Sequence, residues 1–477
     1  MTTIDHGFAQ DRSSGMLDWF TSLRRSLARV DAPRGESRMT AAAEPLLLDT
    51  PVTPGFRAMP QEDDRAQDAP RALSMGAMAA PLKPISLRRD SIYSAFSTAM
   101  PVTDRHGLAG RNSELEKLVE AIVVQRKHAV IFGTRGSGKT SLARVFGDLA
   151  DEAGCIALYG SASGDADFDA LFRPFLSELP LSGAGQDKAR KLMNETIDGT
   201  RLANLLVEDV RQRTILILDE YDRVRSDEAK SDVATLLKLL TDIHSPVQVV
   251  LVGIAGDVDG LIAAHPSLRR HIAPQRVAPI PKPELERLLM SCADNARLRL
   301  DPDALDALAG AAMGSPYHAR LFGMQAALVA EAAGRDRITL ADVEQGLASA
   351  LEDWAEMSGA THALFRRILW DAGANRRMIA LAGVAASQMS VISYDRLVRL
   401  AHEVLGGGSI NEGQAADTLR RLEPILTPMP GGELFMFEDT LAPQFLLLMA
   451  KQPVPATPPA PTPAEEMRAM LRGVDGL

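Results

Sequence analysis

The spacing of apolar and polar residues changes along the chain and divides it into regions. Between residues 101 and 282, four apolar runs alternate with helix-like patterns: "AVIF", "CIALYG", "TILILD" and "VQVVLVGIA". Buried strands that alternate with amphipathic helices are typical of a parallel sheet covered by helices. This region therefore predicts an α/β domain with a parallel sheet between helical layers. From 283 to 357 the period is helical throughout, which predicts a smaller helical domain.

Residues 361–450 predict a third domain. Three helical patterns are followed by a turn-rich hairpin at "PMPGGELFMF" and by a closing helix. Three helices and a hairpin in this order are typical of a winged helix, which reads DNA in some proteins and serves as a protein dock or an autoinhibitory lid in others. Residues 451–477 follow as a proline-rich tail.

The first 100 residues predict a largely disordered tail, because they are rich in Ala, Pro, Ser and Arg and show little periodicity. One segment, 15–30, differs. Its apolar residues recur at helical steps with three arginines beside them, which indicates a short amphipathic helix. Such a helix is either nascent structure in a tail or a docking peptide for a partner or a membrane surface. The apolar residues are Met16, Phe20, Leu23, Leu27 and Val30.

Composition narrows the function classes. The chain has 477 residues, 46% hydrophobic and 24% charged, which is typical of a soluble protein with more than one domain. A net charge of −10 gives no general attraction to nucleic acid or anionic membranes. No signal pattern or membrane-length apolar run is seen, so we expect a cytoplasmic protein. Cys155 and Cys292 lack metal-like spacing and are expected to be buried thiols.

The sequence "GTRGSGKT" follows the first apolar run and precedes a helical pattern. It fits G-x-x-x-x-G-K-[ST], in which backbone N–H groups surround phosphate oxygens and the following helix adds its positive end. Lys139 is expected to reach the β- and γ-phosphates, and the Thr140 hydroxyl to bind Mg²⁺. The predicted nucleotide contacts of this loop are Gly133, Thr134, Arg135, Gly136, Ser137, Gly138, Lys139, Thr140 and Ser141.

A second motif, "TILILDEYDRV", places two carboxylates at the end of an apolar strand. Asp219 is predicted to be the second Mg²⁺ ligand, and Glu220 to polarise the attacking water. An acidic strand end without function is the alternative. Small-molecule kinases do not need a water-activating glutamate here, and a guanine-reading NKxD box is absent. Hydrolysis of ATP with Mg²⁺ is therefore the predicted chemistry.

These residues resemble the AAA+ ATPases, most closely the initiator-like branch that contains origin-recognition ATPases. The resemblance covers about 106–350 and, more loosely, 361–450. "LAGRNSELEKL" is similar to a motif that lies near the adenine in this branch, which implies contacts from Gly110 and Arg111. The resemblance also implies self-association, because such ATPases complete their sites between subunits.

Two further segments carry the resemblance. "HPSLRRHIAPQRV" is similar to the stretch with the arginine finger, which implies that Arg269 or Arg270 reaches the γ-phosphate of a neighbouring subunit; a solvated face is the alternative. "GSPYHARLFG" is similar to the sensor-2 helix, which implies a phosphate contact from Arg320 and a turn at Gly314–Pro316 near the base. Its alternative is an ordinary helix start, with Ser315 as cap and a proline in the first turn.

One position departs from the family pattern. Gly256 stands where a polar sensor-1 residue is usual, with Asp257 as the nearest substitute, so we expect slow turnover. The Gly-x-Pro turn is also similar to the STAND signalling ATPases, in which nucleotide acts as a switch. Two functions are thus expected: an ATPase that acts on DNA or a DNA-bound complex, or a nucleotide-gated scaffold that binds proteins.

The charge of 361–450 bears on that choice. Eight arginines and no lysine face nine acidic residues in this region. Phosphate attraction dominates nucleic-acid affinity, and the region has no surplus of positive charge. Arg376 and Arg377 are the residues expected to contact a DNA backbone locally.

Overall fold

The computed structural model describes residues 87–98, 108, 110–254, 266–389, 391–405, 412–428, 433–439 and 441–453. The amphipathic segment 15–30, Gly256 with Asp257, and most of the proline-rich tail lie outside these residues. No helix of the described ranges is long and apolar enough to cross a membrane. Cys155 and Cys292 are both buried and form no disulfide, as expected.

A five-stranded parallel sheet forms the centre of the first domain, which confirms the predicted α/β fold. Its order is β2-β3-β4-β1-β5. All carboxyl ends of the strands therefore meet at one edge, where ligands of such sheets bind. The strands are β1 His128–Gly133, β2 Ile156–Ser161, β3 Thr214–Asp219, β4 Val247–Ile254 and β5 Ile272–Val277.

Strand β5 is not predicted by the sequence pattern. It lies at the edge of the sheet, and its buried and exposed residues alternate instead of forming an apolar run. Pro274 lies within it, which an edge strand tolerates because one side needs no ladder bonds. A polar, proline-containing strand of this kind reads as a loop in the sequence.

Helices cover both faces of the sheet, and side chains fix where several of them begin. The carboxylates of Asp167 and Asp198 accept hydrogen bonds from the first turns of their helices, and the Ser226 hydroxyl does the same. After an N-terminal helix, α1 Leu87–Ala95, the helices of this domain are α2 Asn112–Val119, α3 Lys139–Glu152, α4 Phe168–Leu176, α5 Ala184–Leu192, α6 Gly199–Asp209 and α7 Asp227–Asp242.

The predicted helical domain follows as four helices and a pair of two-residue strands. We call it the lid. Its elements are α8 Lys282–Asn295, β6 Arg299–Leu300, α9 Pro302–Ala312, α10 Pro316–Ala332, β7 Arg337–Ile338 and α11 Leu340–Met357.

The C-terminal region has the predicted order of helices, antiparallel hairpin and closing helix. Its elements are α12 Gly359–Trp370, α13 Arg376–Met389, α14 Tyr394–Leu405, α15 Glu412–Leu422, β8 Leu426–Pro428, β9 Phe435–Phe437 and α16 Ala442–Lys451.

The lid and the C-terminal region share one hydrophobic core, which is separate from that of the sheet domain. Trp354 of α11 stacks on Phe445 of α16 with ring centroids 4.7 Å apart, and Phe365 and Phe437 complete the cluster. A continuous core resists relative movement of its parts, since sliding would open cavities. The two predicted domains, 283–357 and 361–450, therefore form one packed body.

Helix α1 also joins this core. Ile92 and Phe96 are fully buried against the lid, so the prediction of disorder for 1–100 is wrong for residues 87–98. Two apolar residues one helical turn apart are too weak a signal within an Ala- and Ser-rich stretch. Tertiary packing of the apolar face stabilises this short helix, not its own propensity.

Candidate nucleotide-binding site

The loop between β1 and α3 has the backbone geometry of a phosphate cradle. Gly133, Gly136 and Gly138 have φ values of +154°, +73° and +93°, which residues with a Cβ rarely adopt. A Cβ at Gly133 would lie 2.5 Å from the carbonyl oxygen of Val277, and one at Gly136 would lie 3.1 Å from Ser315 Oγ. The three glycines are therefore required by conformation and, at two positions, by space.

Lys139 lies along this loop. It is 8% exposed, and its Nζ donates to the Thr134 carbonyl at 2.8 Å. Burial lowers its pKa to about 8, although the nearby carboxylates of Asp222 and Asp219 oppose that shift. An ammonium group with little water around it gains strongly from a phosphate, whose negative charge would raise this pKa again.

Arg111 forms hydrogen bonds with the backbone of the loop. It is 2% exposed, and its Nη2 donates to the carbonyls of Ser137, at 2.9 Å, and Ala278, at 2.6 Å. Nη1 pairs with Glu114 Oε1 at 2.8 Å. Burial lowers the pKa of this guanidinium, with the bond to Glu114 opposing. The structure thus places Arg111 as a tie between the loop and the end of β5; contact with a base stays a prediction.

Gly110 and Ser137 support the same region. Gly110 adopts φ +66°, and a Cβ there would lie 3.1 Å from Glu284 Cβ on α8. The Ser137 hydroxyl donates to the Thr134 carbonyl at 2.7 Å and closes the loop on itself. Thr140 and Ser141 lie in the first turn of α3, where both residues are partly exposed.

Asp219 ends β3, two strands away from the loop in the sheet. Its Oδ1 accepts from the Glu220 backbone N–H at 2.8 Å, and its Oδ2 accepts from the Tyr159 hydroxyl. Thr140 and Asp219 supply a hydroxyl and a carboxylate, the hard oxygen donors that Mg²⁺ prefers. Among the described residues, no group of three or more His, Cys, Asp or Glu side chains is arranged to hold a metal ion.

Glu220 has a strained backbone. Its φ of +56° is uncommon for a residue with a side chain, and such strain concentrates at functional sites. Oε2 accepts from the Ser161 hydroxyl at 3.1 Å, and Oε1 pairs with Arg223 Nη2 at 3.1 Å. Both carboxylate oxygens are therefore engaged in this structure.

Sequence reasoning missed Tyr159 and Ser161. Both lie near the end of β2, and Ser161 pairs with Asp219 in the register of the sheet. Because side chains alternate along a strand, residues two apart share one face. The alternation of "YGS" indicates that the two side chains share a face, but their place beside Asp219 depends on the strand order, which the sequence does not show.

The lid meets the loop at the start of α10. Ser315 caps the helix by accepting from the His318 N–H at 3.3 Å, and Pro316 occupies the first turn, as in the ordinary helix start that the sequence left open. The Ser315 hydroxyl also contacts the Gly136 carbonyl at 3.3 Å. A Cβ at Gly314 would lie 2.4 Å from Pro279 Cβ, so the turn packs closely on the segment after β5.

Arg320 and the two candidate finger residues lie elsewhere. Arg320 Nη1 donates to the Ala95 carbonyl at 3.3 Å and so connects α10 to α1. Its contact with phosphate stays a prediction. Arg269 and Arg270 end a short 3₁₀ turn, Pro266–Arg270, immediately before β5, and both are exposed.

The C-terminal region also lies close to the phosphate loop. Leu441 Cδ2 lies 3.6 Å from the position of a Cβ at Gly136. A cavity of about 20 Å³ separates Thr134 and Arg135 of the loop from Phe437 and Gln444 of this region. That volume accommodates one water molecule.

A known protein family matches part of this chain. Residues 123–262 match the AAA domain family. This match confirms the resemblance to AAA+ ATPases over the segment that holds the loop, β3 and both carboxylates. A comparison with curated proteins gives no match.

Several solved structures are similar to this chain. They include the ORC1 protein of Aeropyrum pernix in complex with DNA, at 17% identity and a TM-score of 0.42, and the ORC2 protein of the same organism in ADPNP–ADP complexes, at 18% and 0.44. Each covers 75% of this chain and 96% of its own. The Holliday junction branch migration motor RuvB of Thermotoga maritima is 15% identical with a TM-score of 0.37, covering 74% of this chain and 98% of its own.

Proposed function

We propose that this protein binds ATP with Mg²⁺ and hydrolyses it, and that its nucleotide state controls the assembly or remodelling of a DNA-associated complex. The arrangement around Lys139 supports the first part. A buried ammonium, a glycine-lined loop and the carboxylates of Asp219 and Glu220 belong to one AAA domain. Such a set suits a triphosphate and little else.

Each residue has a role in this proposal. The loop amides and Lys139 hold the β- and γ-phosphates, while Thr140 and Asp219 hold the metal. Bound Mg²⁺ neutralises charge on the phosphate oxygens. Glu220 orients a water for attack on the γ-phosphate.

In this structure two side chains hold the carboxylate of Glu220 in one direction. Its two oxygens bind Ser161 and Arg223. Each oxygen keeps a lone pair for a water, but the two partners fix the direction of the carboxylate, so we expect slow turnover until it turns toward the γ-phosphate. Arg269 or Arg270 of a neighbouring subunit completes the site, because their exposure leaves them accessible to a second copy.

The DNA part of the proposal is supported by the helix and hairpin order of 361–450. Several arginines are already engaged there. Arg376 donates to the carbonyls that end α16, and Asp417 pairs with Arg421 at 2.7 Å and with Arg420 at 3.6 Å. These carbonyls already engage Arg376, so its contact with DNA stays a prediction. Arg377 is exposed and keeps that role.

Duplex binding tests this part. Fluorescence anisotropy with a labelled duplex and ATP should show binding that weakens steeply between about 50 and 200 mM salt. Arg377→Ala should weaken it, whereas Arg190→Ala, an exposed arginine of α5, should not. Absence of binding at low salt with ATP present would eliminate the DNA hypothesis.

A second function is favoured by the contact of Leu441 with the loop. A C-terminal region that lies against the phosphate loop would change its position when ATP replaces ADP, as a nucleotide-gated scaffold requires. In that case ATP changes how the region meets protein partners, and DNA is not involved. Pull-down comparisons with ATP and ADP, in the absence of DNA, distinguish the two functions.

A further inference from the structure

Asp219 receives a hydrogen bond from a tyrosine of the neighbouring strand. Tyr159 lies on β2 and Asp219 on β3, and the phenol donates to Oδ2 while the Glu220 N–H donates to Oδ1. Each carboxylate oxygen thus has one fixed donor and keeps a lone pair for another partner. The carboxylate is held in one rotation about its last torsion, which is otherwise broad.

The tyrosine ring is itself held by the phosphate-loop helix. Arg144, on α3, places its guanidinium carbon 4.4 Å from the Tyr159 ring centroid. A cation over an aromatic face is attractive and restricts the ring.

We propose that Tyr159 is a positioning residue for Mg²⁺, acting through Asp219. The inference rests on the proposed function, because it requires the metal and nucleotide at this site. Outer partners that orient a ligating carboxylate have a measurable effect on metal affinity. The chain Arg144–Tyr159–Asp219 links α3, whose first turn contains Thr140, to the strand that ends with the second metal ligand.

The test separates metal binding from nucleotide binding. Affinity for a fluorescent ADP analogue is measured with Mg²⁺ and with EDTA, and the ratio gives the gain due to the metal. Tyr159→Phe keeps the ring and removes only the donor. We expect unchanged affinity in EDTA and a gain that is smaller by about tenfold. Tyr221→Phe, the loss of a buried phenol one residue after Glu220, should leave the gain unchanged.

A second variant covers a failure of Tyr159→Phe to fold. Arg144→Met removes the cation on the ring, and we expect the gain to fall by about threefold. Asp219→Asn should abolish the gain, and adding Tyr159→Phe to it should change nothing more. A full gain in folded Tyr159→Phe or Arg144→Met protein would overturn the inference. A wild-type protein with no nucleotide binding or no gain would instead contradict the proposed function.

Discussion

The hydroxyl of Ser315 lies 3.3 Å from the carbonyl oxygen of Gly136, and this contact joins the lid to the phosphate loop. Leu441 of the C-terminal region lies near the same glycine, with its Cδ2 3.6 Å from the position that a Cβ would take there. Asp439 holds that segment in place: its Oδ2 accepts from Trp354 Nε1 and from the Ser358 hydroxyl, each at 3.0 Å. The loop therefore lies against the lid and the C-terminal region, which share one core. We expect a change in the conformation of the loop to move both of them together.

Removing the Leu441 contact should loosen this closure. Leu441→Ala deletes half-buried methyl groups worth about 1 kcal/mol, so we expect nucleotide release to become about fivefold faster. Stopped-flow release of a fluorescent ADP measures it. Leu434→Ala, in an exposed position of the hairpin, is the matched control. Equal release rates for the two variants would show that the contact does not restrain the site.

Glu220→Gln should separate binding from hydrolysis. The amide keeps the size of the side chain but cannot accept a proton, so ATP affinity should stay within about twofold and turnover should fall by about a hundredfold or more. Phosphate release with purified protein measures the rate. Glu344→Gln, at an exposed site of α11, should retain wild-type turnover. Wild-type turnover in Glu220→Gln would remove this residue from the mechanism.

Mixing inactive subunits tests the shared site. Lys139→Ala protein cannot hold nucleotide but carries intact arginines, and Arg270→Ala protein has the reverse defect. Their mixture should recover part of the wild-type ATPase rate, because one complete site forms at a mixed interface. The same mixture is made with Arg269→Ala. If neither mixture recovers ATPase activity, neither Arg269 nor Arg270 acts as an arginine finger.

Stability should fall in mild acid because of two buried histidines. His128 and His318 are fully buried, which lowers their pKa values to about 4 and about 3. Between about pH 6.5 and those values, the unfolded chain binds protons that the folded protein cannot. In that window the free energy of unfolding decreases as the pH is lowered, by about 1.4 kcal/mol per pH unit for each histidine. Above about pH 6.5 these two histidines cause no change in stability.

Urea unfolding at pH 8, 7 and 5 measures this dependence. The lowered pKa of Asp342 makes that group lose its contribution to stability only at more acidic pH, whereas the raised pKa values of Asp148 and Asp232 oppose the effect of the histidines. His128 is neutral for a structural reason: Nδ1 accepts from the Val249 N–H at 2.9 Å, and Nε2 contacts the Leu237 carbonyl at 3.0 Å. Equal stability at pH 8 and pH 5 would contradict this reasoning.

The sequence alone predicted the parts of the fold that carry strong local patterns. Apolar runs identify β1 to β4, and the spacing of glycines with Lys139 identifies the loop. Strand β5 and helix α1 were not predicted. Strand β5 lies at the edge of the sheet and lacks an apolar run, and α1 is stabilised by packing on the lid. Contacts between distant segments, such as Ser161 with Glu220 or Leu441 with Gly136, require the strand order and domain packing, which no local pattern contains.

Arginine roles were the least predictable. Arg111 and Arg376 were expected to meet a base and a DNA backbone, yet both donate to backbone carbonyls in the structure. A long side chain with five donors satisfies many environments, so its sequence position says little about its partner.

The central claim is that a triphosphate with its metal binds between the loop at Gly136 and the carboxylate of Asp219. Equilibrium dialysis of the full chain with labelled ATP and Mg²⁺ tests it most directly. We predict one ATP per chain for the wild-type protein and a loss of binding for folded Lys139→Ala protein. Folded wild-type protein that takes up no ATP, or a Lys139→Ala variant that binds it equally well, would contradict the claim.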